Sequence, residues 1–246
     1  MQKLTGIVAI ITGASRGIGA AIAKGFAANG AKIVVNFRSN QVAAQAVVAA
    51  IQAAGGEAIA VAGNVSVGAD VDALIAAACR AYGQVDILVN NAGWAKLQPL
   101  AEIERTAIDA QLATNVTGLI LMTQAAARVM KTGGTIINVS SIAAKGGPGG
   151  SVYSATKAAA NALTKCYAAE LGPKGITVNA IAPAAVETDL YFEVGLDQNH
   201  ETSLSATPLG WIGSVEDVAR AALFFASDDA AWITGEVLHV SGGKAM

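Results

Sequence analysis

Residues 7–19 read Ile-Val-Ala-Ile-Ile-Thr-Gly-Ala-Ser-Arg-Gly-Ile-Gly, and the rest of the chain can be interpreted from this stretch. The β-branched run Ile7–Thr12 predicts a buried strand, and the helical pattern Ile18–Ala28 starts at the end of a glycine-rich turn. Such a turn lets the backbone approach a pyrophosphate, while the start of the helix contributes unpaired N–H groups and a favourable dipole. The glycine spacing is G-x-x-x-G-x-G rather than the more common G-x-G-x-x-G. This strand–turn–helix therefore predicts a dinucleotide-binding site.

Outside this stretch, short β-branched runs alternate with alanine-rich segments of helical length. The other predicted strands are Lys32–Asn36, Ala58–Ala62, Ile87–Asn90, Thr135–Val139, Thr177–Ile181 and Val237–Val240. The other predicted helices include Val42–Ala54, Val71–Tyr82 and Ser154–Leu171. Strands that are apolar on both faces and alternate with helices indicate a parallel sheet covered on both sides. We therefore predict an α/β fold, a Rossmann-type doubly wound seven-stranded parallel sheet, in a single domain over residues 1–246.

One stretch, from Val186 to Gly213, interrupts the alternation. It is long, mixes polar and aromatic residues, and follows the end of a predicted strand. A segment of this length inside a compact domain is usually functional. We therefore expect residues 186–213 to form a substrate loop or lid.

Composition excludes several classes of protein. The chain is 53% hydrophobic and 14% charged, with a formal net charge of −2. This apolar content excludes intrinsic disorder, and the small net charge argues against nucleic acid as a partner. The apolar runs fall short of the ~18 residues that span a membrane, so we expect no membrane association. We expect Cys79 and Cys166 to be buried, reduced thiols, which favours a cytoplasmic enzyme.

Two common kinds of catalytic site are not predicted. The two histidines, His200 and His239, do not stand at metal-ligand spacing from cysteines or carboxylates, so we expect no catalytic metal. The chain contains no Gly-x-Ser-x-Gly motif, so a Ser-His-Asp hydrolase is not indicated either.

Four motifs resemble those of the short-chain dehydrogenase/reductase family, in the family's order. Thr12–Gly19 matches its T-G-x-x-x-G-x-G fingerprint, and Asn90–Gly93 matches its N-N-A-G. Tyr153–Lys157 matches Y-x-x-x-K, while Asn115 and the Ser140–Ser141 pair stand where the family keeps its other two catalytic groups. The similarity covers nearly the whole chain.

The resemblance implies a catalytic set of Asn115, Ser141, Tyr153 and Lys157. Tyr153 and Lys157 are four residues apart in a helical pattern and so share one face. A nearby ammonium favours the phenolate, so we expect Lys157 to ease ionisation of Tyr153, which would protonate a carbonyl oxygen. By the same resemblance, Ser141 binds that oxygen, and Asn115 bends its helix and holds a water between Lys157 and solvent.

The choice between the two serines stays open. In the family pattern N-x-S-S the second serine is catalytic, which selects Ser141. Counting back from Tyr153 by the commonest family interval selects Ser140 instead. We prefer Ser141, because the end of a strand is a firmer reference than the glycine-rich loop over residues 145–150, where we expect a one-residue deletion.

The resemblance also implies which residues bind the cofactor. Asn64 and Val65 should flank the adenine, and Val186 and Thr188 should meet the nicotinamide carboxamide. The complete predicted set is Gly13, Ser15, Arg16, Gly17, Ile18, Gly19, Arg38, Ser39, Asn64, Val65, Asn91, Ala92, Gly93, Tyr153, Lys157, Pro183, Val186 and Thr188.

The predicted cofactor is NADP(H) rather than NAD(H). No acidic residue occurs before Glu57, so the carboxylate that usually binds the ribose 2′-hydroxyl is missing. Phe37 stands where NAD-using members of the family carry Asp. Arg38 follows it and Arg16 lies in the glycine-rich turn, so two guanidinium groups are placed to bind a 2′-phosphate, and Ser39 adds a hydroxyl.

These features predict an NADPH-dependent reductase of small hydrophobic ketones and aldehydes that also runs in reverse as an alcohol dehydrogenase. One alternative is a 3-oxoacyl-acyl carrier protein reductase of fatty-acid synthesis, which the overall pattern resembles most, with an acidic carrier protein as partner. The 16 basic and 18 acidic residues form no obvious docking patch for it. A more remote alternative is a non-catalytic dinucleotide sensor, which would not need the complete catalytic set.

The oligomeric state is predicted from two alanine-rich helical segments. Leu112–Lys131 and Ser154–Leu171 are apolar nearly all round, and such helices are buried somewhere. In the family they pair across subunits, so we predict a homotetramer.

Overall fold

The computed structural model describes residues 3–195 and 200–244, and its strands form one sheet in which all neighbouring pairs are parallel. In chain order the strands are β1 (Val8–Ile11), β2 (Lys32–Phe37), β3 (Glu57–Ala62), β4 (Ile87–Asn90), β5 (Thr135–Val139), β6 (Thr177–Pro183) and β7 (Val237–Val240). Their order across the sheet is β3-β2-β1-β4-β5-β6-β7. The predicted doubly wound seven-stranded parallel sheet is confirmed.

The helices connect the strands and cover the sheet. In the described part of the chain they are α1 (Gly17–Ala28), α2 (Gln41–Ala53), α3 (Gly68–Tyr82), α4 (Arg105–Leu112), α5 (Gly118–Val129), α6 (Ser151–Leu171), α7 (Asp189–Glu193), α8 (His200–Ser205) and α9 (Val215–Ala226). A π-helical turn, Ala113–Thr117, joins α4 to α5. No helix within residues 3–195 and 200–244 is long and apolar enough to cross a bilayer.

Each face of the sheet carries its own apolar core. Successive strand residues point to opposite faces, so Ala9 and Ile11 of β1 belong to one core and Ile10 belongs to the other. Helices α1, α2 and α9 pack on the first face, and α3, α5 and α6 pack on the second. Burial on both faces explains why the strands read as continuous apolar runs. The prediction that both cysteines are buried is wrong, because Cys79 is half-buried on α3 and Cys166 is exposed on the outer side of α6.

Three strands are longer than their sequence patterns predict, and β1 is shorter, because it covers only Val8–Ile11 of the predicted run. β3 starts one residue early, at Glu57, which pairs with Lys32. β2 continues to Phe37, which pairs with Ala62, and β6 continues to Pro183, which pairs with Val240. In these three cases a neighbouring strand extends the ladder beyond the β-branched run. As a result Phe37 is 7% exposed and belongs to a core.

The sheet reverses its winding direction at β1. This strand lies between β2 and β4, so the connections after β1 and β4 leave in opposite directions. The crevice at such a switch point, beyond the carboxyl ends of the strands, is where open α/β sheets bind ligands.

Candidate active site

The glycine-rich turn between β1 and α1 packs directly on the end of β4. A Cβ atom at Gly13 would lie 2.9 Å from the Cα of Ala92, and one at Gly19 would lie 2.5 Å from Nδ2 of Asn91. Only glycine permits these approaches. Two motifs that are far apart in sequence therefore form one structure at the switch point.

Side chains hold the same junction together. The Thr12 hydroxyl oxygen accepts hydrogen bonds from the N–H groups of Asn91 and Ala92, both at 3.0 Å. Asn36, at 2% exposure near the end of β2, accepts one from the N–H of Gly13 at 3.3 Å. Sequence reasoning assigned no role to Thr12 or Asn36. The sequence feature that could have identified both residues is a polar side chain near the carboxyl end of an apolar strand.

The first turn of α1 follows directly on the glycine-rich turn and begins with unpaired backbone N–H groups. Gly17 has φ +54°, a conformation that favours glycine, and a Cβ there would lie 3.4 Å from Cγ2 of Thr188. Arg16, the residue before α1, does not cap the helix with its own side chain. The N–H groups of this turn and the helix dipole therefore suit the diphosphate of a dinucleotide.

Three of the four residues predicted to be catalytic come together between α6 and the end of β5. The Tyr153 hydroxyl is hydrogen-bonded to the Ser141 hydroxyl. Lys157, 6% exposed, has its Nζ 5.6 Å from the centroid of the Tyr153 ring and donates a hydrogen bond to the Val139 carbonyl at 2.8 Å. A phenol, an alcohol and an ammonium thus share a largely buried site.

The ionisation of this group differs from the expectation that Lys157 makes Tyr153 easier to ionise. Burial raises the pKa of Tyr153 to about 12, and the hydrogen bond from Ser141 offsets only part of that shift. Burial also lowers the pKa of Lys157 to about 8. Desolvation disfavours the charged form of both groups and is the largest cause of both pKa shifts. Tyr153 is therefore a protonated phenol at neutral pH.

The two adjacent serines point in different directions. Ser140 is 3% exposed and its hydroxyl donates to the Lys157 carbonyl at 3.2 Å. The Ser141 hydroxyl accepts a hydrogen bond from the N–H of Ala143 at 3.1 Å and also contacts Tyr153. Ser141 therefore lies beside the phenol, while Ser140 fastens β5 to α6.

Asn115 lies inside the π-helical turn and is 4% exposed. Its amide closes a pair of hydrogen bonds with the backbone of Trp94: Oδ1 accepts from the N–H at 2.9 Å, and Nδ2 donates to the carbonyl at 2.8 Å. Nδ2 also donates to the Thr156 hydroxyl at 3.0 Å, and Thr156 donates to the Tyr153 carbonyl at 2.7 Å. The irregular helix thus connects to the helix that carries Tyr153.

Residues 13–245 match the family model described as enoyl-(acyl carrier protein) reductase. The chain belongs to the short-chain dehydrogenase/reductase family.

Individual relatives are similar to this chain over nearly its full length. The chain is 45% identical over 246 residues to an uncharacterized oxidoreductase of Methylorubrum extorquens, covering 99% of both chains. It is 43% identical over 250 residues to a 3-oxoacyl-[acyl-carrier-protein] reductase of Synechocystis sp., covering all of both. A short-chain dehydrogenase from Burkholderia cenocepacia J2315, solved in complex with NADP, superposes with a TM-score of 0.94 at 38% identity, covering 99% of this chain and 100% of that one.

This short-chain dehydrogenase/reductase has a buried polar chain beneath the site. Asn90 Nδ2 donates to the Thr123 hydroxyl at 3.0 Å and to Asn138 Oδ1 at 2.9 Å. Asn138 Nδ2 donates to the Thr164 hydroxyl at 2.9 Å, and Thr164 donates to the Ala160 carbonyl at 2.8 Å. This chain of hydrogen bonds joins β4, β5, α5 and α6, and its side chains belong to residues that are 0–6% exposed. Sequence reasoning did not predict it, because its members pair only through the fold.

A small cavity connects this polar chain to the catalytic group. It measures about 10 Å³ and is lined partly by Thr12, Asn90, Asn115 and Lys157. A polar cavity of this size holds about one water molecule. A Cβ at Gly93 would lie 3.6 Å from both Asn115 Oδ1 and Lys157 Nζ, so glycine keeps the approach to these two groups open.

The residues predicted to bind the adenosine half lie nearer the surface. Arg38 and Ser39 are exposed just beyond β2, and Phe37 before them is buried. Asn64 accepts hydrogen bonds from the N–H and hydroxyl of Ser66, at 3.1 Å and 2.9 Å. Val65 is 6% exposed and packs so tightly on the first turn of α5 that a Cβ at Gly118 would lie 2.6 Å from its Cγ2.

The two ends of the 186–213 segment pair with each other, and its first residues lie next to the glycine-rich turn. Val186 pairs with Gly213 in an isolated parallel bridge, just beyond the buried Pro183. The Thr188 hydroxyl caps α7 by accepting from the N–H of Tyr191 at 3.3 Å. The segment contains α7 and α8, and its residues 196–199 lie outside the described part of the chain.

The Arg16 side chain reaches this segment. Its Nη1 donates to Asp189 at 3.0 Å and to Glu193 at 2.8 Å. The three side chains are about half exposed. The contact of Arg16 with the 2′-phosphate of the cofactor stays a prediction, and in the structure its guanidinium pairs with two carboxylates.

The 186–213 segment carries exposed apolar side chains and acidic residues. Phe192, Leu209 and Trp211 are each about 57% exposed, and Trp94 is 36% exposed in the loop after β4. By sequence the segment carries five acidic residues, no lysine or arginine, and His200. His200 Nδ1 lies 3.3 Å from the Tyr191 hydroxyl, which joins α8 to α7, and His239 lies on β7. Within residues 3–195 and 200–244, no three metal-ligating side chains cluster.

Proposed function

We propose that this protein is an NADPH-dependent reductase of small hydrophobic ketones and aldehydes, reversible as an alcohol dehydrogenase. The observation that carries the proposal is the hydrogen-bonded pair of Tyr153 and Ser141, one helical turn from the buried Lys157. This group stands at the carboxyl edge of the sheet, on the opposite side of the β1–β4 switch from the adenosine end. Family membership makes the protein an oxidoreductase, and the finer activity is our proposal.

The proposed catalytic step is proton donation by Tyr153. When bound, NADPH supplies a hydride to the carbonyl carbon of the substrate. The Tyr153 hydroxyl gives its proton to the carbonyl oxygen, which positioned acids accelerate by roughly 10²–10⁴-fold. The Ser141 hydroxyl, held by Ala143 and Tyr153, is proposed to donate a hydrogen bond to the same oxygen. A pKa of about 12 keeps Tyr153 in the donor form throughout the physiological range.

After Tyr153 has given up its proton, Lys157 is proposed to return one to it, with Asn115 in a supporting role. Lys157 retains donors beyond the one used by Val139, and the adjacent cavity has room for about one water. A water there would connect Lys157 to the polar atoms around Asn115. With a pKa near 8, Lys157 loses and regains a proton readily near neutral pH. Asn115 acts by holding the π-helical turn in place.

The proposed cofactor site lies across the switch point, beyond the carboxyl ends of the strands. The turn over residues 13–19 would hold the diphosphate, Asn64 and Val65 the adenine, and the loop over residues 91–93 the adenosine ribose. Lys157 would contact the nicotinamide ribose, while Pro183, Val186 and Thr188 would lie near the carboxamide. Arg38 and Ser39 are proposed to bind the 2′-phosphate that distinguishes NADP(H) from NAD(H). Their exposed position just beyond β2 supports this assignment. The NADP complex of the Burkholderia relative supports the same choice.

The charge of the 186–213 segment favours a neutral substrate over a carrier protein. An acyl carrier protein is acidic and would approach a segment with five carboxylates and no lysine or arginine. The exposed Phe192, Leu209 and Trp211 instead suit an uncharged hydrophobic molecule. The 3-oxoacyl-acyl carrier protein reductase remains the second candidate, supported by the 43% identical Synechocystis relative.

One assay separates the two candidates. With NADPH and NADH in turn, the purified protein is given a panel of small ketones and aldehydes. It is also given one 3-oxoacyl group carried either on neutral N-acetylcysteamine or on acyl carrier protein. We expect turnover of the ketones and of the neutral thioester, with the carrier-protein form no better. A kcat/KM for the carrier-bound thioester above all others would establish the second candidate, and no turnover of any carbonyl would remove both.

We also propose that the protein is a cytoplasmic homotetramer. Ala155, Ala158, Ala162 and Ala169 are exposed along α6. Leu112 at the end of α4 and Val129 at the end of α5 are 42% and 39% exposed. Small and apolar side chains on an outer helix face suit close helix pairing between subunits. Light scattering at micromolar concentration should give four times the mass of one chain, and a monomer would contradict the proposal.

A further inference from the structure

The first turn of α6 carries Tyr153 but has little local support. The helix starts at Ser151, and Gly150 before it provides no side-chain cap. The loop that leads into the helix, over residues 145–150, contains four glycines. An uncapped helix end has unpaired N–H groups and frays easily. The position of the Tyr153 hydroxyl therefore depends on contacts between α6 and other elements.

Thr156 makes such a contact from the buried side of α6. It is 0% exposed, and its hydroxyl donates a hydrogen bond to the Tyr153 carbonyl at 2.7 Å. The same hydroxyl oxygen accepts a hydrogen bond from Asn115 Nδ2 at 3.0 Å. Asn115 is in turn bonded twice to the backbone of Trp94. A continuous series of hydrogen bonds therefore runs from the backbone of Tyr153 to the loop after β4.

This series leaves no donor unused. The Thr156 hydroxyl has one proton and gives it to Tyr153, while Asn115 Nδ2 has two and gives them to Trp94 and Thr156. Without the hydroxyl, a buried amide donor loses its partner, which is costly enough to favour a local shift. A misplacement of about 1 Å at a reacting group can cost roughly a hundredfold in rate.

Thr164 repeats the arrangement further along the same helix. It is also 0% exposed, its hydroxyl donates to the Ala160 carbonyl at 2.8 Å, and it accepts from Asn138 Nδ2 at 2.9 Å. Eight residues, about 12 Å along the helix axis, separate Thr164 from Thr156. Each threonine therefore bonds its own helix and a buried asparagine, but only Thr156 bonds the residue proposed to donate the proton.

We propose that Thr156 is a positioning residue for Tyr153. Through Asn115 it fixes the first turn of α6 relative to the loop after β4. Its side chain is buried and its hydroxyl proton is engaged, so it contacts neither substrate nor cofactor. Its effect on the reaction rests on the proposed function of Tyr153 as proton donor, whereas its hold on the first turn of α6 does not.

The first test needs no catalysis. The cofactor-free protein is labelled with 3-fluorotyrosine, and the variant Tyr153→Phe identifies one of the four tyrosine signals in the ¹⁹F NMR spectrum. We expect Thr156→Val to shift or broaden the Tyr153 signal and Thr164→Val to leave it unchanged. Both variants should lower the urea midpoint by similar amounts, because each leaves an asparagine donor unpaired. An unchanged Tyr153 signal in Thr156→Val would overturn the proposal.

The second test separates catalysis from binding. Thr156→Val should lower kcat for a good ketone about ten- to a hundredfold, because the proton donor is displaced. The ketone KM and the Kd for NADPH should change less than threefold. Thr164→Val should keep kcat within twofold of the wild type, and equal kcat values in the two valine variants would overturn the proposal. If the wild type reduces no carbonyl compound, the proposed function fails, while the NMR result still decides the role of Thr156.

Two further variants provide the rescue and guard against a failure to fold. Thr156→Ser keeps the hydroxyl and should recover kcat to within about threefold of the wild type. A loss of kcat in Thr156→Ser as large as in Thr156→Val would assign the effect to packing of the methyl group and overturn the proposal. If Thr156→Val does not fold, Thr156→Ala replaces it, with the same loss of kcat expected. Failure of both variants to fold, with Thr164→Val folded, would make Thr156 a residue of the fold alone and also overturn the proposal.

Discussion

The catalytic centre and the rim of the site are built from the same kinds of polar groups in opposite surroundings. At the centre, Lys157, Asn115 and Ser140 are all less than 7% exposed. At the rim, Arg16, Asp189 and Glu193 pair with about half of each side chain in water. Burial makes a polar interaction strong and its loss costly, whereas water and salt weaken the exposed pairs.

The contrast predicts where substitutions act. A change at the centre should alter kcat or folding, because each group there has partners that cannot be replaced by water. A change at the rim should alter KM or cofactor preference and leave the fold intact. The predictions below test this division, from the largest expected effect to the smallest.

Tyr153→Phe should abolish most of the activity and leave the cofactor bound. The ring keeps its packing, but the proton donor is removed, which costs roughly 10²–10⁴-fold in kcat. Steady-state kinetics and NADPH titration by fluorescence measure the two quantities. Tyr167→Phe, on the same helix α6 but partly buried against the apolar core, is the matched control and should retain full activity. A Tyr153→Phe variant with near wild-type turnover would show that another group donates the proton.

Ser141→Ala and Ser140→Ala should separate catalysis from structure. Removing a donor that faces a developing oxyanion costs roughly 10²–10³-fold in kcat, which we expect for Ser141→Ala. Ser140→Ala removes a buried hydrogen bond to the Lys157 carbonyl, worth about 0.5–1.5 kcal/mol in the free energy of unfolding. It should change kcat only a few-fold. The reverse pattern of kcat values would assign catalysis to Ser140.

Arg38→Gln should reduce the preference for NADPH over NADH about ten- to a hundredfold. A charge-assisted hydrogen bond is worth about 1.5–3 kcal/mol, and this sets the range. The ratio of the two kcat/KM values measures the preference, with the exposed Arg80→Gln as control. Phe37→Asp is less suitable, because Phe37 is buried and its replacement would place a carboxylate in the core. A wild-type kcat/KM for NADH equal to that for NADPH would defeat the prediction.

Lys157→Met should stabilise the fold while it removes activity. The pKa of Lys157 is about 8 when folded and near 10.5 when unfolded, so the buried ammonium costs about 3 kcal/mol at most at pH 7. Between these pKa values the unfolded chain binds more protons, so the wild type gains stability as the pH rises from 8 to above 10.5. The advantage of the variant should therefore be largest at pH 7 and fall to roughly half by pH 9.5.

Urea unfolding at the two pH values measures this difference. Lys165→Met, on the exposed side of the same helix, is the control and should not show the pH dependence. An advantage of Lys157→Met that is equal at pH 7 and pH 9.5 would mean that the lysine carries no desolvation penalty.

Much of this protein follows from the sequence by itself. Apolar periodicity is local, so the seven strands and their order with the helices could be predicted. Several ends of strands and helices differ from the prediction by one to three residues, as at Phe37, where pairing with β3 extends β2. The glycine-rich turn and the Tyr153–Lys157 spacing are also local, so their places at a strand end and on one helix face could be predicted. Family resemblance then indicated the remaining candidates.

Only the tertiary structure decided which groups meet. The Asn90–Asn138–Thr164 chain joins residues up to 74 positions apart, and no local pattern marks it. The direction of each serine, the burial that sets the pKa values of Tyr153 and Lys157, and the pairing of Arg16 with α7 likewise depend on contacts between distant segments. Desolvation and charge pairing are properties of the folded surroundings, and a sequence motif specifies the residue but not those surroundings.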